Sequence, residues 1–196
     1  MGKIVYIMGK SSTGKDTIYK KLLAEKKFAF KTIVSYTTRP IREGEKEGVE
    51  YHFTDEAGFL KLKESGKVVE DRCYETCHGP WRYFTVDDEN IDLSAHDYIT
   101  IGTIESFRMV RNYYGKEKVV PVLIELDDAV RLQRALNREK KQDHPRYEEM
   151  CRRFLADSKD FDEETIKKAK IRKRFVNDDL NICLQKIKEY LIIEMA

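Results

Sequence analysis

The sequence predicts an α/β fold, a parallel sheet sandwiched between helices, on two observations. Strand-like apolar runs alternate with segments of helical periodicity along most of the 196 residues, as they do where helices cross over between parallel strands. The first apolar run, Ile4-Val5-Tyr6-Ile7-Met8, also ends in the glycine-bracketed turn Gly9-Lys10-Ser11-Ser12-Thr13-Gly14-Lys15. A turn of that kind between a strand and a helix cradles phosphate groups in sheets of this class.

Residues 3–8 form the first strand and residues 17–25 the first helix. Residues 28–35 read as a second strand, 97–101 as a third and 118–126 as a fourth. Pro121 lies inside the fourth, and a proline without an N–H predicts an edge position or a bulge there. Residues 172–176 close the sheet. Helices fill the gaps at 103–114, 129–138 and 178–193. Their apolar stripes are read as core packing.

Two stretches break the alternation. Residues 39–90 hold the short strand candidates 49–53, 67–70 and 81–86 and one helix, 56–65, and predict a small inserted subdomain with room for a second ligand. Residues 137–146 are rich in Lys, Arg, Asp and His and read as a polar lid.

Composition narrows the function. Charged residues make up 37% of the chain against 41% apolar, yet the net charge is only +2, so no global field draws it to nucleic acid or membrane. Five apolar residues before the first glycine are too short for a signal peptide or a membrane span. Tyr6 stands where a myristoylation signal needs Ser or Thr. The expectation is a cytoplasmic chain whose four cysteines stay reduced. Cys73, Cys77 and His78 cluster, but a structural zinc site needs four ligands and no second pair matches them.

The turn carries the strongest chemistry. Successive backbone N–H groups point inward, the helix N-terminus adds partial positive charge, and Lys15 reaches the outer phosphates. A nucleoside triphosphate is the expected ligand, held by Gly9, Ser11, Ser12, Thr13, Gly14, Lys15, Asp16 and Thr17. The usual pattern has Ser or Thr directly after the lysine, touching magnesium. Here Asp16 takes that position and the Thr17 hydroxyl follows it. Asp16 therefore either holds the ion through water or turns aside into a salt bridge.

Ser35-Tyr36-Thr37-Thr38-Arg39-Pro40-Ile41-Arg42 leaves the second strand, followed by Gly48-Val49-Glu50-Tyr51-His52-Phe53. Planar guanidinium forks flanked by hydroxyls suit a monophosphate. With Arg134 and Arg138 four apart, Arg153, and Asn177-Asp178-Asp179-Leu180 late in the chain, these motifs stand in the order found in guanylate kinases. The sequence resembles that family over residues 3–190.

The resemblance implies a three-layer P-loop NTPase fold with a central parallel sheet, a small mixed or antiparallel NMP-binding insertion and a helical lid. Residues 1–38 and 91–196 would form the core, with the lid at about 137–153, and residues 39–90 the insertion. It implies transfer of the γ-phosphoryl of ATP, with Mg2+, to GMP. Lys15, Arg134, Arg138 and Arg153 would neutralise charge, and Asn177 would contact adenine, while Asn177-Asp178-Asp179 before an apolar periodic run reads on its own as a helix cap. Ser35, Arg39, Arg42, Tyr51 and Tyr83 would hold the GMP phosphate. Glu70, Thr85 and Thr103 would serve the base.

Three departures stand out. Residues are added between Glu70 and Tyr83, Phe84 replaces a glycine, and Ile101-Gly102-Thr103 replaces an acidic D-x-D, for which Glu105 or Asp71 would have to compensate. They keep two alternatives open: a kinase of another acceptor, such as a different nucleoside monophosphate or ribose 1,5-bisphosphate, and a non-catalytic binding module. Against the other acceptor stands Glu70, a carboxylate costly to bury with no base to pair it. Oligomeric state and the choice of ATP or GTP are not legible.

Overall fold

The computed structural model describes residues 2–42, 44–76 and 79–195. Its larger sheet is wholly parallel and has five strands: β1 (Ile4–Met8), β2 (Lys31–Thr32), β7 (Tyr98–Ile101), β8 (Val119–Glu125) and β9 (Arg174–Val176), in the order β2-β7-β1-β8-β9. The predicted second strand shrinks to β2 at the sheet edge.

Period-two alternation along β1 decides the layers. Ile4, Tyr6 and Met8 face one core with Ile104, Phe107 and Val110 of α3 (Ile104–Tyr114). Val5 and Ile7 face the other, with Ile18 and Leu22 of α1 (Lys15–Leu23) and Cys183, Ile187 and Leu191 of α7 (Leu180–Glu194). Spacings of three and four keep those helical residues on one stripe. The result is a helix–sheet–helix sandwich with β1 at its centre.

β8 lies between β1 and β9, so the edge expected from Pro121 is not global. β9 pairs only with Leu123, Ile124 and Glu125, which leaves no ladder on that side of Pro121. The proline is tolerated because β8 is locally an edge there.

The second sheet comprises β3 (Tyr36–Thr37), β4 (His52–Phe53), β5 (Val68–Thr76) and β6 (Gly79–Val86), in the order β4-β3-β6-β5. It is mixed: β3 and β4 are parallel, the other pairs antiparallel. β3 thus hydrogen-bonds outside the main sheet, although its residues fall within the stretch first read as core. The helix α2 (Glu56–Glu64) is capped by Asp55, whose carboxylate accepts from Gly58 N, and packs Phe59 on Phe84. Phe84 is fully buried, with its ring 4.9 Å from Phe59 and 5.5 Å from Tyr36. The residue replacing the expected glycine therefore fills the insertion's own core and does not intrude on a ligand.

Three further helices follow β8: α4 (Asp128–Glu139), α5 (Tyr147–Asp160) and α6 (Glu163–Lys168). α4 corrects the reading of its stripe as core. Val130 and Leu132 are exposed, and the buried face carries Arg131, Ala135 and Glu139. No helix among the described residues is long and apolar enough to cross a membrane. Cys73 and Cys151 are exposed free thiols, and burial raises the Cys183 thiol to about 11. Cys77 and His78 lie outside the described residues.

Candidate active site

The phosphate loop springs from the C-terminal end of β1, the strand end where parallel sheets bind ligands. Gly14 adopts φ +88°, and a Cβ there would collide with the Asn177 amide, so glycine is required twice over. A Cβ on Gly9 would meet the Ile124 carbonyl and the Thr13 hydroxyl. Thr13 is buried and ties the loop to itself, its hydroxyl donating to Lys10 O at 2.8 Å. Ser12 holds a left-handed φ of 65°, and its hydroxyl is one of two buried side-chain polar atoms left unpartnered among the described residues. That strained, unsatisfied group at the turn of the loop fits an anion.

Asn177 props the loop from beneath. It is buried, and its Nδ2 donates to Thr13 O at 2.6 Å. The cap of α7 is Asp179, whose carboxylate accepts from Asn181 N and Ile182 N. Lys15 Nζ lies 3.7 Å from the largely exposed Asp16 carboxylate, and Thr17 is exposed on α1.

A cleft of about 430 Å³ opens in front of the loop. It is lined by Gly9, Ser11 and Lys15 of the loop, by Ser35, by Tyr51 and Tyr83 of the insertion, by Gly102 and Thr103 after β7, and by Asp157 and Asp160 of α5. Behind Tyr51 sits Arg39, its guanidinium 5.2 Å from that ring. Arg39 is only 3% exposed and is forked onto Glu45 at 2.6 and 2.8 Å. That pairing keeps Arg39 charged and pulls the Glu45 carboxyl down to about 2. Arg42 is exposed, and its backbone N–H also donates to Glu45.

Deeper in the insertion, β5 and β6 pair Glu70 with Thr85 and Arg72 with Tyr83. Glu70 is 2% exposed. Its carboxylate accepts from the Thr85 hydroxyl at 2.9 Å and from Arg72 Nε at 3.2 Å. The carboxylate is thus already satisfied, so the case against other acceptors that rested on an unpaired Glu70 falls. Thr103 caps α3, its hydroxyl accepting from Ser106 N at 3.2 Å. Asp71 points to the opposite face, bonded to Lys63 and Arg82, and does not replace the absent acidic pair.

A second cleft, about 570 Å³, lies between the loop and the lid. Ser11 and Ser12 meet Arg131, Arg138, Arg146 and Arg153 there. Arg153 is exposed and rests on Glu149 at 2.8 Å, and Glu149 is pulled down to about 2 by Arg152 and Arg153. Arg134 is exposed and lines neither cleft.

Arg131, absent from the sequence-based site, is the buried arginine of this region. Its Nε donates to Ser11 O at 3.0 Å, its other nitrogens pair with Asp128 and Asp157, and its guanidinium covers the Phe154 ring. Asp157 in turn accepts from Ser11 N at 2.6 Å. The missed signal was spacing: Arg131 and Arg138, seven apart, share a helix face as well as Arg134 and Arg138 do.

The family model for guanylate kinase matches residues 1–194. The chain belongs to the guanylate kinase family. The guanylate kinase of Anaplasma phagocytophilum (strain HZ) is 31% identical over 129 residues, covering 64% of this chain and 60% of that protein. That of Oleidesulfovibrio alaskensis is 44% identical over 70 residues, covering 35% and 33%, and that of Schizosaccharomyces pombe 43% over 68 residues, covering 35% and 34%. The chain thus aligns with 60% or less of these relatives' length. A crystal structure of guanylate kinase from Anaplasma phagocytophilum shares the fold, with TM-score 0.64 and 21% identity over 99% of this chain and 86% of that one.

Proposed function

We propose that this member of the guanylate kinase family transfers the γ-phosphoryl group of ATP to the 5′-phosphate of GMP, giving ADP and GDP. One observation carries the reading: a single cleft has Lys15 and the phosphate loop on one side and Ser35, Tyr51 and Tyr83, backed by Arg39, on the other. Two anion receptors face each other across it.

The acceptor phosphate is ionised at neutral pH, so no side chain need remove a proton. Catalysis is then positioning and neutralisation of charge on clustered phosphates. The loop amides and the Ser12 hydroxyl would hold the β-phosphate, and Lys15 would bridge toward the γ-phosphate. Arg138 and Arg153 would swing in from the lid cleft, Arg153 leaving Glu149. Arg39 and Arg42 would take the GMP phosphate in exchange for Glu45. Glu70 and Thr85 would face guanine, whose N1–H and 2-amino donors suit a carboxylate. Mg2+ would neutralise phosphate charge, with Asp16 reaching it through water; Thr17, exposed on α1, is the weaker of its two candidate ligands. Both substrates suit a cytoplasmic address.

Glu70 satisfied by Arg72 favours one further reading, a phosphorylated acceptor with a different base or none. An acceptor panel separates the two. ADP release is measured with GMP, dGMP, AMP, CMP, UMP and ribose 1,5-bisphosphate. GMP should dominate; turnover confined to the sugar phosphate would transfer the function to the second reading, and turnover with none would leave a binding module.

A further inference from the structure

Arg72 belongs to none of the sequence motifs, yet it stands between the buried Glu70 and the open cleft. Both residues lie on one face of β5, two apart, so their side chains project in the same direction. The Glu70 side chain is 1% exposed and that of Arg72 22% exposed. Arg72 lines the cleft with Lys15, Tyr83 and Thr103. Nε is spent on Glu70, and Tyr74, which lines the same cleft, is a further hydrogen-bond partner of the guanidinium.

The segment after β7 is neutral for a steric reason, and the carboxylates that line the cleft with Arg72 are Asp157 and Asp160 of α5. A Cβ at residue 102 would collide with the Tyr6 hydroxyl, so Gly102 and Tyr6 are fitted to each other. Burial, with Glu70 nearby, raises the Tyr6 phenol and keeps it uncharged. Where the resemblance leads one to expect an acidic pair, Ile101, Gly102 and Thr103 supply no carboxylate to compete for Arg72.

We propose that Arg72 is a specificity-determining residue that reads the acceptor base, donating to the O6 and N7 edge of guanine while Glu70 accepts from N1–H and the 2-amino group. This rests on the reading of the acceptor as GMP. Arginine carries only donors, in a planar fork whose spacing matches O6 and N7. Glu70 alone accepts and Arg72 alone donates, so together they complement a base with donors on one edge and acceptors on the next. The Glu70–Arg72 pair also keeps both charges satisfied before the base arrives.

The test uses 7-deaza-GMP, which lacks the N7 acceptor and keeps every group that faces Glu70. Steady-state kinetics of the full chain are measured with GMP and 7-deaza-GMP, for the unmodified protein and for Arg72→Lys and Arg72→Met. The unmodified protein should prefer GMP by roughly tenfold or more in kcat/KM, from the value of a bidentate arginine–guanine contact. Arg72→Met should bring that ratio close to one, through KM rather than kcat, and Arg72→Lys should fall between Met and the unmodified protein, since lysine keeps donors for O6 and N7. Equal use of the two nucleotides by the unmodified protein overturns the proposal without any variant having to fold. So does a preference that survives undiminished in Arg72→Met, which removes every donor from that position. No turnover of GMP at all would instead remove the acceptor assignment, and this inference with it.

Discussion

The two walls of the cleft offer an anion different kinds of donor. The loop wall is built from backbone and held by local geometry: Gly14 in a left-handed turn, Thr13 bonded to Lys10, Asn177 beneath. The insertion wall is built from side chains already paired with one another, Arg39 with Glu45 and Glu70 with Arg72. A receptor made of backbone amides has its donors fixed in place and needs little reorganisation on binding, although the Ser11 amide, held by Asp157, must exchange its partner. One made of ion pairs must exchange partners, so its ligand competes with an internal carboxylate. The first wall should therefore govern rate, the second selectivity.

The largest expected effect falls on the loop. Lys15→Ala should lower kcat by roughly 10³-fold or more while leaving GMP affinity by calorimetry nearly unchanged. Parallel loss of GMP affinity would show the walls are not separable. Next is the insertion's core: Phe84→Ala should destabilise the fold by about 3–5 kcal/mol, read from denaturant unfolding, because it leaves a cavity beneath β6. Glu70→Gln should weaken GMP by about 10–100-fold, the value of a hydrogen bond to a charged group, and ATP hardly at all. Equal weakening of both would end its assignment to the base.

Smaller is the effect of Asp157→Asn. This carboxylate occupies the Ser11 amide, where it would repel an incoming triphosphate. Its neutralisation should tighten ATP several-fold in equilibrium titration and leave GMP unaffected; weaker ATP binding would mean Asp157 serves the loop's shape instead. The smallest is a pH effect on the insertion wall. Glu45 sits at about 2 in the folded chain against an ordinary 4.5. A depressed carboxyl contributes stability that is complete above about 4.5 and is lost as pH falls toward about 2. Melting temperature should therefore fall over that window, and less steeply in Glu45→Gln. Identical profiles would mean the pair adds nothing to stability.

The guanylate kinase resemblance reached Lys15, Tyr51, Tyr83 and Glu70 because each sits in a short motif whose spacing survives in one dimension. Arg131 escaped because a buried arginine on a polar helix face looks, in sequence, like a solvated one. Arg72 escaped although period-two spacing from Glu70 already placed it on the same face. Phe84 was visible as a departure, but its direction was not, since a strand offers two faces and only packing against Phe59 and Tyr36 selects one.

By itself the sequence determined the parallel sandwich and the phosphate loop. Strand periodicity, glycine placement and helix start signals act over a few neighbouring residues, so the chain carries them wherever it folds. Tertiary structure alone decided that Arg131 meets Asp157 and that Pro121 lies beyond the end of β9. Ion pairing depends on proximity in space and on burial, and neither is written in the spacing of residues along the chain.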